Sequence, residues 1–338
     1  MKTERMVWWV IGATAFAAGT LPAQVPPDIA TKLIAIGRGV CVPETAELYA
    51  PLQPKPPYAG VKFTRDVSFG PDAKNVLDVA EPEKGGGLRP VLIYLSGGAG
   101  NKQQGGPNGA AFYDNIMVWA VKNGMVGVNM QRRSGEAWDD PAKDVRLAVQ
   151  WVNKNIAQHK GNPKRVFAWS QSAGNIPLST YVAHSDFWGA EGIGLKGVIF
   201  MSPPAFDILP VTPPPVQGAA FTSCGSPNGG PPAALGAGRG GGPRAGPGTP
   251  PHPTTQLARS NLPGLTGSKI PFMISVAELD PPNIIGFAET LRDELKKANR
   301  NVTYAVYKGH SHISEVMSPD TADESVTGPI LRWMNSVR

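Results

Sequence analysis

In the stretch Arg165-Val166-Phe167-Ala168-Trp169-Ser170-Gln171-Ser172-Ala173-Gly174-Asn175, a short apolar run stops at a serine and helix-forming sequence follows at once. A serine at the apex of a sharp strand-to-helix turn exposes its Oγ, and the next backbone N–H points at the negative charge that develops on a carbonyl under attack. The pattern is S-x-S-x-G where G-x-S-x-G is usual, so Ser170 fills a position that asks for a small side chain, and Gly174 still lets the helix approach the strand. Taking Ser170 as the apex would put Ser172 where Gly174 is needed and leave the turn inside the strand. Ser172 is therefore the candidate nucleophile.

A hydroxyl of this kind needs a base, a group to orient the base, and donors for the oxyanion. Of the five histidines, His159 and His184 fall on or near helix ends and His252 lies in a Gly/Pro-rich stretch. The base is then His310 or His312, in the Gly309-His310-Ser311-His312 run that ends an apolar segment. His312, three residues past Gly309, has room to curl back, whereas His310 follows the strand closely. Glu278-Leu279-Asp280-Pro281-Pro282 places two carboxylates after another apolar run. Either could orient a base, and an aspartate before proline also commonly caps a helix. Ser96-Gly97-Gly98-Ala99-Gly100 is a loop whose missing side chains let backbone N–H groups converge on an anion. Gly236-Ala237-Gly238-Arg239-Gly240 lacks both a preceding strand and a following Gly-Lys-Ser/Thr, so it is not a phosphate loop.

The elements that must hold these groups follow from periodicity. Val61 to Phe69 and Asn75 to Ala80 flank a Gly-Pro-Asp turn and form a hairpin. Val91 to Leu95 is a continuous apolar run, as in a strand covered on both faces. Strands at Met125–Met130, Val166–Ser170, Lys196–Met201, Pro271–Val276 and Val302–Tyr307 then alternate with helices. The helices are Ala110–Lys122, one opened by Asp140-Pro141, the segment from Ser172 to about His184, one carrying Ile284, Phe287, Leu291 and Leu295, and a closing one opened by Pro329. Eight strands with this alternation predict an α/β fold with a mostly parallel sheet and helices on both faces. Active residues in such sheets collect at the carboxyl ends of strands, which is where Ser172, Asp280, His312 and the glycine loop all fall.

With 338 residues, 41% hydrophobic and 17% charged, the chain is long enough for one large core, and its 40 Gly and 35 Pro are concentrated locally. Lys2 and Arg5 precede an uncharged run to Ala23 that has the form of a secretory signal peptide, with cleavage expected after Ala23. An uncleaved anchor is the alternative. Residues 24–60 read as an arm, with one helix over Asp28–Ile36 and a proline-broken remainder. Residues 61–338 read as the catalytic-type domain, interrupted at 203–268 by an insert without apolar periodicity, expected to be flexible. Export makes Cys41 and Cys224 candidates for one disulfide, and no zinc pattern surrounds them. The formal charge of +6 comes from scattered residues without a basic block, so nucleic acid is not implied as a partner.

The order Ser172…Asp280…His312, each just past a strand, is that of the α/β-hydrolase triad. Ile93-Tyr94-Leu95-Ser96-Gly97-Gly98, Tyr113-Asp114-Asn115, Glu278-Leu279-Asp280-Pro281 and Gly309-His310-Ser311-His312 make the chain from Val61 onward, the insert apart, resemble the α/β-hydrolase carboxylesterases. Within these it is similar to the hormone-sensitive lipase, bacterial feruloyl esterase and arylformamidase-like group. It departs from them at Ser96, where histidine is usual, and at Ser170. The resemblance implies an α/β-hydrolase fold with the Gly/Pro-rich insert between the sixth and seventh strands. It also implies His312 as base oriented by Asp280, and oxyanion N–H groups from Gly98, Ala99 and Ala173. The expected activity is an exported serine carboxylesterase acting on small-molecule esters, with no metal or organic cofactor and no membrane insertion after signal cleavage. An amidase or formamidase with the same triad and a non-catalytic binding protein of the same fold are the alternatives.

Overall fold

The computed structural model describes residues 25–102, 104–105, 111–134, 139–213, 224 and 257–338. The expected signal segment 1–23 and the centre of the insert lie outside the described residues. Eight strands form one sheet: β1 (Val61–Ser68), β2 (Val76–Pro82), β3 (Arg89–Leu95), β4 (Val126–Met130), β5 (Gly161–Gln171), β6 (Gly197–Met201), β7 (Phe272–Ala277) and β8 (Val302–Tyr307). Their spatial order is β1-β2-β4-β3-β5-β6-β7-β8. β1 and β2 form the antiparallel hairpin, β2 meets β4 antiparallel, and every later pair is parallel. β5 thus lies at the centre, and the carboxyl ends of β3, β5, β7 and β8 open on the same edge of the sheet.

Strand side chains alternate between two cores, as the two-residue period of a strand requires. Leu92, Tyr94, Phe167, Trp169, Ile199 and Met201 point to one face, Val91, Ile93, Val166, Ala168, Val198 and Phe200 to the other. The first face is covered by α1 (Pro27–Ile36), α2 (Val42–Tyr49) and α3 (Asp114–Lys122), together with the C-terminal helix at Thr327–Ser336. The second is covered by α4 (Asp140–Asn155), α5 (Asn175–Ala183), α6 (Leu262–Gly267) and α7 (Pro282–Lys297). One turn, α8 (Ser314–Met317), precedes that C-terminal helix, which is α9. In α4, Val145, Ala148, Val149 and Val152 form the buried stripe that their spacing predicts.

Three differences from the sequence expectation have physical causes. The arm holds a second helix, α2, because Pro43 falls in its first turn, where no N–H is missed. The segment before α3 is extended, with Ala111–Phe112 pairing Gln104–Gly105, so that helix begins at Asp114 and not at Ala110. The flexible insert expected over 203–268 has packed flanks: Phe206 and Ile208 on one side and Leu265 of α6 on the other are buried in the second core. These three apolar residues are too few and too widely spaced to produce a periodic signal. Among the described residues no helix is long and apolar enough to cross a membrane.

Candidate active site

β5 ends at Gln171, and Ser172 takes a left-handed backbone with φ of 51° before α5 begins. A side chain at positive φ is disfavoured, and the cost is tolerated where the surroundings fix the turn. Gly174 explains why this turn fits: a Cβ there would come within 2.6 Å of the Leu95 carbonyl oxygen and 2.8 Å of that of Ser96. The helix therefore begins against the end of β3. Ser170, two residues earlier, is fully buried, its Oγ 2.7 Å from Asn175 Oδ1, and Asn175 in turn donates to the carbonyls of Ser172 and Met201. The small side chain demanded at that position is thus bonded into the back of the turn and faces away from solvent.

Three side chains form one line. His312 Nε2 lies 2.9 Å from Ser172 Oγ, and His312 Nδ1 lies 2.7 Å from Asp280 Oδ1. A carboxylate accepts only, so Nδ1 carries the proton and Nε2 presents its lone pair to the serine hydroxyl. Asp280 is buried and fully engaged: its Oδ2 accepts from Ser202 Oγ at 2.6 Å and from the Ala277 N–H at 2.7 Å. The His312 loop is tied back by Gln171, whose Nε2 donates to the His312 carbonyl at 2.9 Å. Ser172 stays partly exposed while His312 and Asp280 are buried, so solvent reaches the hydroxyl and not the groups behind it.

The neighbours in sequence serve other ends. His310 is buried, with Ser314 Oγ 2.9 Å from Nδ1 and Ser325 Oγ 2.7 Å from Nε2, and it also faces Asp323. Glu278 braces the loop above: it pairs with Lys308 at 2.8 Å and accepts from the Gly309 N–H, which together hold its carboxyl below the usual range. His159 is bonded to Glu81 and His184 to Asn261, both away from Ser172. His252 lies outside the described residues.

The glycine loop stands against the serine, since a Cβ on Gly97 would come within 2.8 Å of Ser172 Cβ. Ser96, where a histidine is usual in the resembling enzymes, closes the loop by donating from Oγ to the Asn101 carbonyl at 2.7 Å. Gly98 and Ala99 are exposed, and among the described residues no backbone carbonyl accepts from their N–H groups. Ala173 follows Ser172 directly at the start of the helical turn.

Sequence reasoning missed four residues here: Ser202, Gln171, Arg132 and Glu315. Glu315, three residues past His312, is fully buried, and ligand-type atoms of Asp280, His312 and Glu315 all lie within 4.8 Å of one another. Burial, and next the charge of Asp280, push the Glu315 carboxyl well above its ordinary range, with Ser202 and Gln171 opposing in part. A metal would need the ring nitrogens of His312, which are committed to Asp280 and Ser172. The one signal for Glu315 was its position on a short segment after the histidine.

Residues 77–185, from β2 through α5, match the BD-FAE family model, a span that holds the glycine loop and Ser172 but neither Asp280 nor His312. Over 120 residues the chain is 32% identical to Esterase LipQ of Mycobacterium tuberculosis, covering 33% of this chain and 27% of that one. Over 119 residues it is 30% identical to Acylcarnitine hydrolase of Mus musculus, covering 32% and 20%. The matched part thus spans under a third of the length of these relatives. Esterase B from Lactobacillus rhamnosis superposes with a TM-score of 0.64 at 15% identity, over 86% of this chain and 90% of that one. A bacterial heroin esterase superposes at 0.62 with 19% identity, over 95% and 100%. The chain therefore has the α/β-hydrolase fold, and its relatives in sequence and neighbours in structure are esterases and related ester hydrolases.

Proposed function

We propose that the protein is an exported serine carboxylesterase that forms an acyl-enzyme on Ser172. The observation that carries the reading is the unbroken line from Asp280 through His312 to Ser172, with hydrogen bonds of 2.7 and 2.9 Å, beside a loop with N–H groups to spare. In the first half of the cycle His312 Nε2 takes the Ser172 proton as Oγ bonds to the acyl carbon. Asp280 stabilises the imidazolium that forms, and the N–H groups of Gly98, Ala99 and Ala173 receive the oxyanion. His312 then gives that proton to the departing alkoxide. Water, deprotonated by the same nitrogen, attacks the acyl-enzyme and releases the acid, and Ser172 recovers its proton. No cofactor takes part in these steps.

Relatives named as esterases support the bond type, and Esterase B has been solved inhibited by a tributyrin phosphonate. The Cys41–Cys224 disulfide supports the exported location, since such bonds persist in oxidising compartments. Labelling with a fluorophosphonate followed by peptide mapping tests the reading: modification at Ser172 with turnover of p-nitrophenyl esters is expected, with anilides much slower. An unlabelled protein that turns over no ester would overturn it. Intact mass after secretion tests export, with Gln24 expected as the first residue.

A further inference from the structure

Arg132 follows β4 and lies under the glycine loop, only 5% exposed. Its Nη2 donates to two carbonyls of that loop, Ser96 at 3.3 Å and Gly98 at 3.2 Å, and its backbone N–H donates to the Gly100 carbonyl at 3.0 Å. The contact is close: a Cβ on Gly100 would strike the Arg132 side chain. A buried guanidinium is ordinarily paired with a carboxylate. The nearby carboxylate, Asp144, is taken up by Arg133, which bonds it through Nη2 and its backbone N–H at 2.7 Å each. Among the described residues the Arg132 guanidinium donates to carbonyl oxygens alone. Burial pushes it down to about 10, still charged at neutral pH.

The direction of these bonds gives them a consequence. In a trans peptide the C=O and the N–H point opposite ways. The Gly98 carbonyl belongs to the same peptide as the Ala99 N–H, so a cation holding that carbonyl fixes the N–H in the opposite direction, away from Arg132, and strengthens it as a donor in the loop whose Gly97 stands against Ser172. The adjoining peptide is treated alike: the Gly97 carbonyl accepts from the Gly100 N–H at 3.0 Å, which orients the Gly98 N–H. We propose that Arg132 is a positioning residue for the oxyanion donors, holding and polarising the Gly98–Ala99 peptide. The proposal rests on the esterase reading above.

The test uses the full chain and p-nitrophenyl butyrate, with rates expressed per fluorophosphonate-labelled site. Arg132→Met should lower kcat about ten- to hundredfold, less than the loss of a whole oxyanion donor, with KM changed by no more than about threefold. Arg132→Lys, which keeps the charge without the planar fork, should lose about three- to tenfold. The affinity of a trifluoromethyl ketone, which forms the tetrahedral adduct, should fall by the same factor as kcat/KM in both variants. A packing role alone would lower the melting temperature and the labelled fraction while leaving kcat per labelled site at the wild-type value, and that result overturns the proposal. Should Arg132→Met fail to fold, the lysine variant decides by the same criterion. A wild-type protein that does not label at Ser172 would instead overturn the esterase reading, and the inference with it.

Discussion

Each catalytic candidate has a twin two residues away, and the twins are separated by what they touch. Ser170 Oγ is turned inward to Asn175 and His310 is enclosed by Ser314 and Ser325, whereas Ser172 and His312 face one another. Ser172→Ala and His312→Ala should each reduce kcat about 10⁴-fold or more, because triad members act as a unit. Ser170→Gly should remain active, and His310→Ala should lose at most about tenfold. Ester turnover and probe labelling of the four variants check this, and labelling of a Ser172→Ala protein at Ser170 would contradict it.

Glu315 offers a second expectation at this scale, with a definite sign. Its folded carboxyl holds a proton well above the ordinary range, while in the unfolded chain it ionises near about 4.3. Above that value the folded state binds more protons than the unfolded one, so stability falls as pH rises toward the folded value. Glu315→Gln keeps the shape and removes the titration. The melting temperature of the variant minus that of the wild type should therefore increase between pH 5 and pH 8, measured by scanning calorimetry. A difference that stays constant over this range would contradict the assignment.

Among the elements, the contact of α5 with the end of β3 sets the position of Ser172. A methyl at Gly174 meets two backbone oxygens, which cannot swing aside as a side chain could. Gly174→Ala should cost about 1–3 kcal/mol of stability as overpacking and displace the Ser172 turn. Denaturant unfolding and ester turnover would report both losses, and wild-type values in both would show that the helix can retreat freely.

The same elements explain what could be read from the sequence. Strands buried on both faces announce themselves as apolar runs, and the residue at each end of such a run falls at the sheet edge. Ser172 and Asp280 were legible for that reason, whereas His312 follows the edge strand β8, whose mixed burial leaves only a short Val/Tyr-rich run, and β1, at the other edge, was legible through the turn that joins it to β2. The supports were not, because each reaches its partner through strand order and not through chain distance. Ser202 at the end of β6 meets Asp280 after β7, and Arg132 after β4 meets the loop after β3, since β4 lies beside β3. The prolines of the arm conceal α2, because proline breaks the interior of a helix and not its first turn, where Pro43 falls.

In the molecule as a whole, the arm is joined to the site from outside. Arg38 donates to the carbonyls of Glu278 and Asp280, Gln53 donates to the Met317 carbonyl, and Cys41 is bonded to Cys224 across a sequence separation of 183. A link of that span removes much of the freedom of the unfolded chain and stabilises by about 2–4 kcal/mol in typical cases. Cys41→Ser together with Cys224→Ser should lower the melting temperature and should make it insensitive to a reductant that lowers that of the wild type. Equal melting temperatures would show that α1 and α2 hold the arm without the link.

The hydrogen bond between Ser172 and His312 joins residues 140 apart in the chain. Three sheet strands, β6, β7 and β8, lie between them, and each parallel pairing requires a loop to close before any contact rewards it. Such topology places this bond among the slow, non-local events of folding. In a refolding experiment, the return of turnover should therefore lag behind the recovery of helical circular dichroism, and its time course marks when the last strands have docked.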